Sequence, residues 1–160
     1  MPNLSDLPAP PAGRAGWPWT EAAPAAPSAA WPSLSVVTPS YNQAPFLEET
    51  LRSVLAQGYP RLEYLVIDGG STDGSVEIIE RYAAHLAGWV SERDRGQSDA
   101  INKGFQRATG EIVAWINSDD TFCPGALHAQ VGYLLERPDV DVVYGDCLYT
   151  DPAGRPVQTA

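Results

Sequence analysis

From Leu34 onward, short apolar runs alternate with stretches in which apolar residues recur every three or four positions, and a polar loop follows each run. Short runs rich in β-branched and aromatic residues are typical of buried strands, and the longer spacing is typical of amphipathic helices. The predicted strands are residues 34–37, 62–67, 88–91, 111–116 and 140–144. The predicted helices are residues 44–57 and 75–86, a third helix that follows residue 98, and residues 124–137. This alternation predicts an α/β fold with a mostly parallel sheet flanked by helices.

Each predicted helix has an apolar stripe that would face the sheet. The four stripes are Leu47, Leu51, Val54 and Leu55; Val76, Ile79, Ala83 and Leu86; Ile101, Phe105 and Ala108; and Leu127, Val131, Leu134 and Leu135. Ser98 is the expected N-cap of the third helix, and Asp73 is expected to cap the second. Gly104 is expected to let the third helix approach the sheet closely.

The segment before the first strand differs in composition from the rest of the chain. Residues 1–33 are rich in Pro and Ala and lack apolar periodicity. Such a segment cannot bury enough surface to offset its ordering entropy, so it is predicted to be a disordered or polyproline-like tail. Its residues Trp17, Trp19 and Trp31 either dock on the domain or on a partner, or are incidentally exposed, which is the interpretation we favour. The folded domain is then predicted to span residues 34–160.

Charge and cysteine content narrow the function classes. The chain has 20 Asp and Glu against 10 Lys and Arg, a net charge of −10, which makes nucleic acid an improbable partner. Cys123 and Cys147 form no CxxC pair, which argues against a structural zinc site or a disulfide framework. No segment resembles a secretion signal or reaches the length of a membrane span. These features predict a cytoplasmic location, with peripheral association with a membrane left open.

The sequence Asn117-Ser118-Asp119-Asp120 follows the predicted strand 111–116 directly. Adjacent carboxylates at a strand end repel each other and cost desolvation, so such a pair is usually tolerated because a cation or a phosphate-bearing ligand binds there. Ligands of open α/β sheets also bind at the carboxyl ends of the strands. The alternative is a solvated turn before a helix, where Asp is common. Similar polar loops after the other strands favour the ligand site.

Three common nucleotide or hydrolase motifs are absent. No G-x-G-x-x-G follows the first strand, where Thr38-Pro39-Ser40-Tyr41 stands instead. Gly69 and Gly74 have the spacing of a phosphate loop, but Ser75 stands where that loop needs Lys. No Gly-x-Ser-x-Gly nucleophile elbow occurs.

Several ordered motifs resemble those of the family 2 glycosyltransferases, whose catalytic domain has the GT-A (Rossmann-like) fold. The resemblance covers most of the span from Leu34 to Asp146. Its motifs are residues 37–42 (VTPSYN), 66–75 (VIDGGSTDGS), 94–104 (DRGQSDAINKG), 108–111 (ATGE) and 117–120 (NSDD). The resemblance implies transfer of a sugar from a nucleotide-diphosphate sugar, with a UDP-sugar as the expected donor, to an acceptor hydroxyl.

The resemblance also implies roles for individual residues. Asp68 is similar to the carboxylate that accepts a hydrogen bond from the donor base, and its alternative role is that of a turn residue. Tyr41 is placed like the aromatic residue that stacks on the base, and its alternative role is to pack the loop. Thr38 and Pro39 would lie near the same base. Three residues of the third helix would face the sugar or phosphates: Gln97, Ser98 and Asp99.

Asp119 and Asp120 resemble the D-x-D-type metal motif. Asp119 is the first candidate ligand, joining Mn²⁺ or Mg²⁺ to the donor diphosphate, and Asp120 would support it. Asn117 stands where many relatives have Asp. Arg95 is either a diphosphate partner or a solvated loop charge. His85 and His128 are expected to be structural.

The resemblance implies an inverting reaction in which a carboxylate base deprotonates the acceptor. In the family this base lies well beyond the metal motif, so we expect it beyond the end of this chain, and the domain looks truncated. The expected acceptor is a glycan or a lipid-linked precursor, as in cell-wall or polysaccharide synthesis. Two alternatives stay open: a non-catalytic nucleotide-binding or interaction module, and a nucleotidyltransferase. The second normally needs a Gly-rich, basic loop after the first strand, which Thr38 to Gln43 does not provide.

Overall fold

The computed structural model describes residues 4–24, 31–151 and 155–157. Four parallel strands form the sheet in the order β3-β2-β1-β4. They are β1 (Leu34–Ser40), β2 (Leu62–Asp68), β3 (Gly88–Ser91) and β4 (Ile112–Trp115). The helices are α1 (Ala44–Leu55), α2 (Ser75–Tyr82), α3 (Gln97–Arg107) and α4 (Ala126–Glu136), and short 3-10 turns cover Leu4–Asp6 and Ala83–His85. The predicted α/β fold with a parallel sheet is confirmed.

The order in which successive strands join the sheet reverses at β1. It proceeds outward from β1 through β2 to β3, and then returns to place β4 on the other side of β1. Side chains alternate between the two faces of a strand, and α3 packs on the face that carries Val37, Leu65 and Ile67. Ligands of open α/β sheets bind where the strand order reverses. The carboxyl ends of β1 and β4 are therefore the expected place for a ligand.

Gly104 lets α3 approach β1, as predicted. A Cβ atom built on Gly104 would lie 2.3 Å from Cγ1 of Val37. Real Cβ atoms do not come that close to another carbon, so any larger residue would push α3 away from the sheet.

Several predicted boundaries change in the structure. β1 continues to Ser40, so that Thr38 and Pro39 lie within the strand, while α1 and α2 are shorter than predicted. Ser98 is wrong as the N-cap of α3, because the helix begins at Gln97 and the cap is Gly96, whose φ of 107° favours glycine.

β4 is exposed, in contrast to the buried strand predicted from its apolar sequence. Within the described residues it pairs with β1 alone, and Val113 and Trp115 are 48% and 56% exposed. Phe105 of α3 covers part of this face, with its ring centroid 6.2 Å from that of Trp115. An apolar run thus marked a strand correctly, but its burial depends on neighbours that the run itself does not specify.

The internal contacts divide the chain into a unit of Met1–His128 and a second unit of Ala129–Ala160. In the second unit, the predicted strand 140–144 is wrong: these residues have no strand partner in the described part of the chain, and Tyr144 is 90% exposed. A strand needs a neighbour to satisfy its backbone groups. In α4, Leu127 and Val131 are buried as predicted, but Leu135 is exposed.

The amino-terminal segment, residues 4–24, packs on the domain instead of being disordered. Leu7, Trp19 and Ala23 are buried, and the fully buried guanidinium of Arg52 explains why. It donates hydrogen bonds to the carbonyl oxygens of Pro8 (2.8 Å) and Trp19 (2.9 Å). A buried guanidinium needs acceptors, and the segment provides them. Residues 1–3 and 25–30 of the predicted tail lie outside the described residues.

No helix in the described part of the chain is both long enough and apolar enough to cross a membrane.

Candidate active site

The polar loops that follow the four strands lie at one edge of the sheet. In register, Ser40 at the end of β1 pairs with Asp68 at the end of β2, and Asp68 pairs with Ser91 at the end of β3. Asn117 follows β4 on the other side of β1 and is hydrogen-bonded to Gln97 at the start of α3, with 2.5 Å between Nε2 and Oδ1. The topology therefore assembles one site from four loops.

Asp68 holds two of these loops together. Its Oδ2 accepts hydrogen bonds from the amides of Gly70 (3.0 Å) and Ser71 (2.8 Å) and from the Ser91 hydroxyl (2.7 Å), and its Oδ1 accepts one from the Ser71 hydroxyl (2.5 Å). The residue is fully buried. These contacts match the turn role that the sequence left as an alternative. Since each carboxylate oxygen has two acceptor sites, Oδ1 keeps the capacity for one further donor.

Tyr41 is carried by a loop that is tied to the β2–α2 loop. The backbone N–H of the neighbouring Asn42 donates to the Ser71 hydroxyl (2.8 Å), and the side-chain Oδ1 of Asn42 accepts the backbone N–H of Thr72 (2.9 Å). Its φ of 52° lies in the left-handed region, which Asn tolerates better than most residues. Tyr41 is 62% exposed, so its ring is available to a ligand.

Asp73 connects the starts of α1 and α2. Its carboxylate accepts the amides of Ala44 (2.9 Å) and Ser75 (3.0 Å) and the Ser75 hydroxyl (2.6 Å). Although desolvation acts to raise it, these hydrogen bonds lower the pKa of Asp73. Gly74 is the residue directly before α2, and Asp73 precedes Gly74. Asp73 therefore caps α2 as expected, but from two positions before the first helical residue.

Thr38 and Pro39, which the resemblance places near the donor base, lie within β1. Both are buried in β1, and Thr38 Oγ1 lies 2.8 Å from the hydroxyl of buried Tyr64. Burial raises the pKa of that Tyr64 hydroxyl, so it stays protonated, and either hydroxyl can be the donor. The extension of β1 past Val37 takes both residues into the sheet, directly before the end of the strand at Ser40.

The start of α3 presents a mixture of paired and exposed groups. Asp99 accepts hydrogen bonds from Arg95, with Nη2 2.8 Å from Oδ1, and Lys103 lies 3.5 Å from Oδ2. The hydrogen bond from Arg95 is the largest cause that lowers the pKa of Asp99. Gln97 and Ser98 are exposed beside this pair. Arg95 and Asp99 therefore neutralise each other's charge within the chain itself.

The Asp119–Asp120 pair is exposed in the turn after β4. Asn117 donates from Nδ2 to Oδ2 of Asp120 (2.9 Å), while the Asp119 carboxylate has no hydrogen-bond partner among the described residues. No cluster of three or more His, Cys, Asp or Glu side chains forms a complete metal site in that part of the chain. Two carboxylates nevertheless fit Mg²⁺ or Mn²⁺, which commonly bind one or two carboxylates together with phosphates and water.

Two further contacts at this edge escaped the sequence patterns. Ser91 binds Asp68, and the Asp94 carboxylate occupies the space above Gly69, where a Cβ atom would lie 2.8 Å from Asp94 Oδ2. A carboxylate of the β3–α3 loop thus reaches the start of the β2–α2 loop. Gly69 lies in the motif 66–75 and Asp94 opens the motif 94–104, but neither motif indicates that the two residues meet.

His85 and His128 belong to the opposite side of the fold from these loops, as expected for structural residues. The ring of His128 stacks on Tyr59 at a centroid distance of 5.7 Å, and desolvation lowers its pKa. His85 lies in the 3-10 turn that precedes the amino end of β3.

Residues 35–158 match the glycosyl transferase family 2. The chain belongs to this family. Among curated family 2 relatives, it is 37% identical over 111 residues to the putative teichuronic acid biosynthesis glycosyltransferase TuaG of Bacillus subtilis, a match covering 66% of this chain and 43% of TuaG. It is 41% identical over 116 residues to an uncharacterized glycosyltransferase of Mycobacterium tuberculosis, covering 71% and 44% of the two chains. The chain thus spans less than half the length of these relatives.

Solved structures of glycosyltransferases share the fold of this family 2 chain. The mannosyltransferase PcManGT of Pyrobaculum calidifontis, in complex with GDP-Man and Mn²⁺, has a TM-score of 0.61 and 35% identity, covering 72% of this chain and 36% of its own. Staphylococcus aureus TarS 1–349, in complex with UDP-GlcNAc, has a TM-score of 0.60 and 28% identity, covering 66% and 32%. The fold is therefore GT-A, and the chain spans about a third of these structures.

Proposed function

We propose that this chain carries the donor-binding part of an inverting, metal-dependent glycosyltransferase that uses a nucleotide-diphosphate sugar. The observation that carries the proposal is the exposed Asp119–Asp120 pair at the point where the strand order reverses, next to loops tied together through Asp68 and Gln97. Proteins of similar structure bind GDP-Man with Mn²⁺, and UDP-GlcNAc.

The residues of this site have distinct proposed tasks. Tyr41 stacks on the donor base. Asp68 is fully buried, so it accepts a base N–H at Oδ1 when the β2–α2 loop moves to expose that oxygen. Asp119 and Asp120 hold Mn²⁺ or Mg²⁺, which when bound would neutralise the charge that develops on the leaving diphosphate. Gln97 and Ser98, both exposed, hydrogen-bond to the sugar or phosphates, and Asp99 positions Arg95 beside them.

The acceptor side of the proposed reaction needs a base and an acceptor hydroxyl. Inversion requires a carboxylate base on the acceptor side, and no residue of this chain is assigned to that role. The proposed donor is a UDP-sugar, and the proposed acceptor is a glycan or lipid-linked precursor of a cell-wall polymer, which the name of TuaG supports. A reducing, cytoplasmic setting fits the free cysteines Cys123 and Cys147, both exposed.

The test is a calorimetric titration of the chain with UDP, UDP-GlcNAc, GDP and GDP-mannose, each in Mn²⁺, Mg²⁺ and EDTA. We expect metal-dependent binding of at least one ligand, and Asp119→Asn should weaken it by about tenfold or more, because one charged metal ligand is lost. Asp139→Asn, at an exposed position of the second unit, is the charge-matched control. Binding that is equal in EDTA, or equal in the two variants, would contradict the proposal.

A further inference from the structure

Helix α1 carries a buried polar stripe that its amphipathic pattern did not predict. Thr50, Ser53 and Gln57 are all fully buried, and they follow one another at spacings of three and four residues along α1 and its C-terminal turn. Residues at those spacings share one face of a helix. Burying hydroxyl and amide groups costs free energy unless they are hydrogen-bonded, so the stripe needs partners.

The partners of this stripe are backbone groups of the segment directly after Asp119. The Thr50 hydroxyl donates to the carbonyl oxygen of Asp120 (2.8 Å), and the Ser53 hydroxyl accepts the amide of Phe122 (3.1 Å). Gln57 donates from Nε2 to the carbonyl oxygen of Cys123 (2.9 Å). The stripe is thus hydrogen-bonded to three of the four residues from Asp120 to Cys123.

The amino-terminal segment binds the same loop from a second direction. The indole Nε1 of Trp17 donates to the carbonyl oxygen of Phe122 (2.9 Å), 105 positions away in the chain. Both backbone groups of Phe122 are therefore satisfied by side chains of other elements, Ser53 and Trp17.

These contacts matter because the loop has little other support. Residues 117–125 contain neither helix nor strand, and the Asp119 and Asp120 side chains are exposed. Among the described residues, the hydrogen bond from Asn117 Nδ2 to Asp120 Oδ2 is the one hydrogen bond to either carboxylate, and it leaves Asp119 unsupported. Two adjacent carboxylates also repel each other, which favours a more open loop in the absence of a cation. The backbone anchors just after the pair are what can hold both carboxylates in one arrangement.

We propose that Thr50 and Ser53 of α1, assisted by Trp17, are positioning residues that hold the Asp119–Asp120 loop ready for a divalent cation. The role in cation binding rests on the proposed function. Both hydroxyls are fully buried and hydrogen-bonded to the loop backbone, so they would act only through that backbone. Their removal should therefore impair the metal-dependent part of nucleotide binding and spare the metal-independent part.

The test compares Thr50→Val, Ser53→Ala and Trp17→Phe with Thr50→Ser, which keeps the hydroxyl, and with Ser35→Ala as the stability control. Ser35 is fully buried and hydrogen-bonded to Glu63 and Gly110 at the other end of β1. For each variant, the Mn²⁺ concentration that half-saturates nucleotide binding, the nucleotide affinity in EDTA and Tm are measured.

We expect Thr50→Val and Ser53→Ala to raise the half-saturating Mn²⁺ concentration by about threefold to tenfold each, the equivalent of one lost hydrogen bond. The affinity in EDTA should stay within about twofold, since no contact to the nucleotide is lost. Trp17→Phe should also raise the half-saturating Mn²⁺ concentration, whereas Thr50→Ser should keep the wild-type value. Ser35→Ala should lower Tm but leave the half-saturating Mn²⁺ concentration unchanged. An unchanged Mn²⁺ requirement in the Thr50→Val, Ser53→Ala double variant, or a parallel loss of affinity in EDTA, would overturn the proposal.

Amide hydrogen exchange of the nucleotide-free chain separates this inference from the proposed function. If wild type binds no nucleotide at all, the proposed function fails, yet the exchange rate of the Phe122 amide still reports on the loop. Faster exchange in Ser53→Ala and Thr50→Val, but not in Ser35→Ala, supports the positioning role. Equal exchange rates in all variants would overturn it.

Discussion

At the scale of single residues, the site depends on side chains that bind backbone more than on side chains that face a ligand. The Asp68 carboxylate accepts four hydrogen bonds from the β2–α2 and β3–α3 loops, and Asn42 fixes the loop that carries Tyr41. The sequence indicated that these residues belong to one site. It did not reveal their hydrogen-bond partners, because those lie on other loops whose placement depends on the fold.

Exposed Tyr41 is expected to affect binding without affecting stability. Tyr41→Ala should leave the free energy of unfolding nearly unchanged but weaken nucleotide binding by about fivefold to a hundredfold, the range for loss of one stacked base. Tyr41→Phe keeps the ring and should retain most of the affinity. Calorimetry and urea unfolding measure the two quantities. Equal affinities for wild type and Tyr41→Ala would show that the ring packs the loop only.

Asp73 is expected to make the stability of the chain depend on pH. Its folded-state pKa is lowered, so its hydrogen bonds to Ala44 and Ser75 stabilise the fold fully above about pH 4 and are lost as the pH falls through the folded-state pKa. Asp73→Asn should lower Tm at pH 7 and reduce the fall in Tm on acidification. A series of Tm measurements between neutral and acidic pH tests this, and an unchanged acid slope in the variant would contradict it.

Gly104→Ala tests the close approach of α3 to the sheet. The new methyl group would collide with Val37, whose Cγ1 lies 2.3 Å from the Cβ position. We expect a loss of about 1–3 kcal/mol in the free energy of unfolding, typical of overpacking. Val37→Ala in the same chain should recover part of the loss. An equal or higher stability for Gly104→Ala alone would show that α3 moves away freely.

At the scale of elements, the strands and helices follow from the sequence, but their neighbours do not. The periodicity predicted all four strands of the sheet and all four helices, because each pattern reflects one face of one element. It predicted a buried β4 and a strand at 140–144, and both were wrong because burial and strand pairing depend on other elements. It also missed the ordered segment 4–24, whose docking depends on Arg52 in α1.

The docking of this segment can be tested through Arg52. Arg52→Met removes the donors to Pro8 and Trp19 while keeping an apolar side chain, so residues 4–24 should detach more often. Trypsin should then cut after Arg14 about tenfold faster, because cleavage follows the population of the detached form. Arg61→Met, which removes a more exposed ion pair with Glu111, is the control. Equal cleavage rates in Arg52→Met and wild type would show that other contacts hold the segment.

At the scale of the whole molecule, we propose that four loops at one edge of a GT-A sheet form a single nucleotide-sugar site with a cation at Asp119 and Asp120. Family membership and fold follow from the match over residues 35–158 and from the similar structures. The proposed roles of Tyr41, Asp68 and Gln97 all depend on where the cation binds.

The most direct test is the paramagnetic broadening of backbone amide signals by Mn²⁺ in the presence of UDP. We expect the strongest broadening at Asp119, Asp120 and Gln97, weaker broadening at Ser71 and Ser91, and loss of the effect in Asp119→Asn. Broadening centred on the acidic residues of the second unit, such as Asp139 and Asp141, or unchanged by Asp119→Asn, would contradict it.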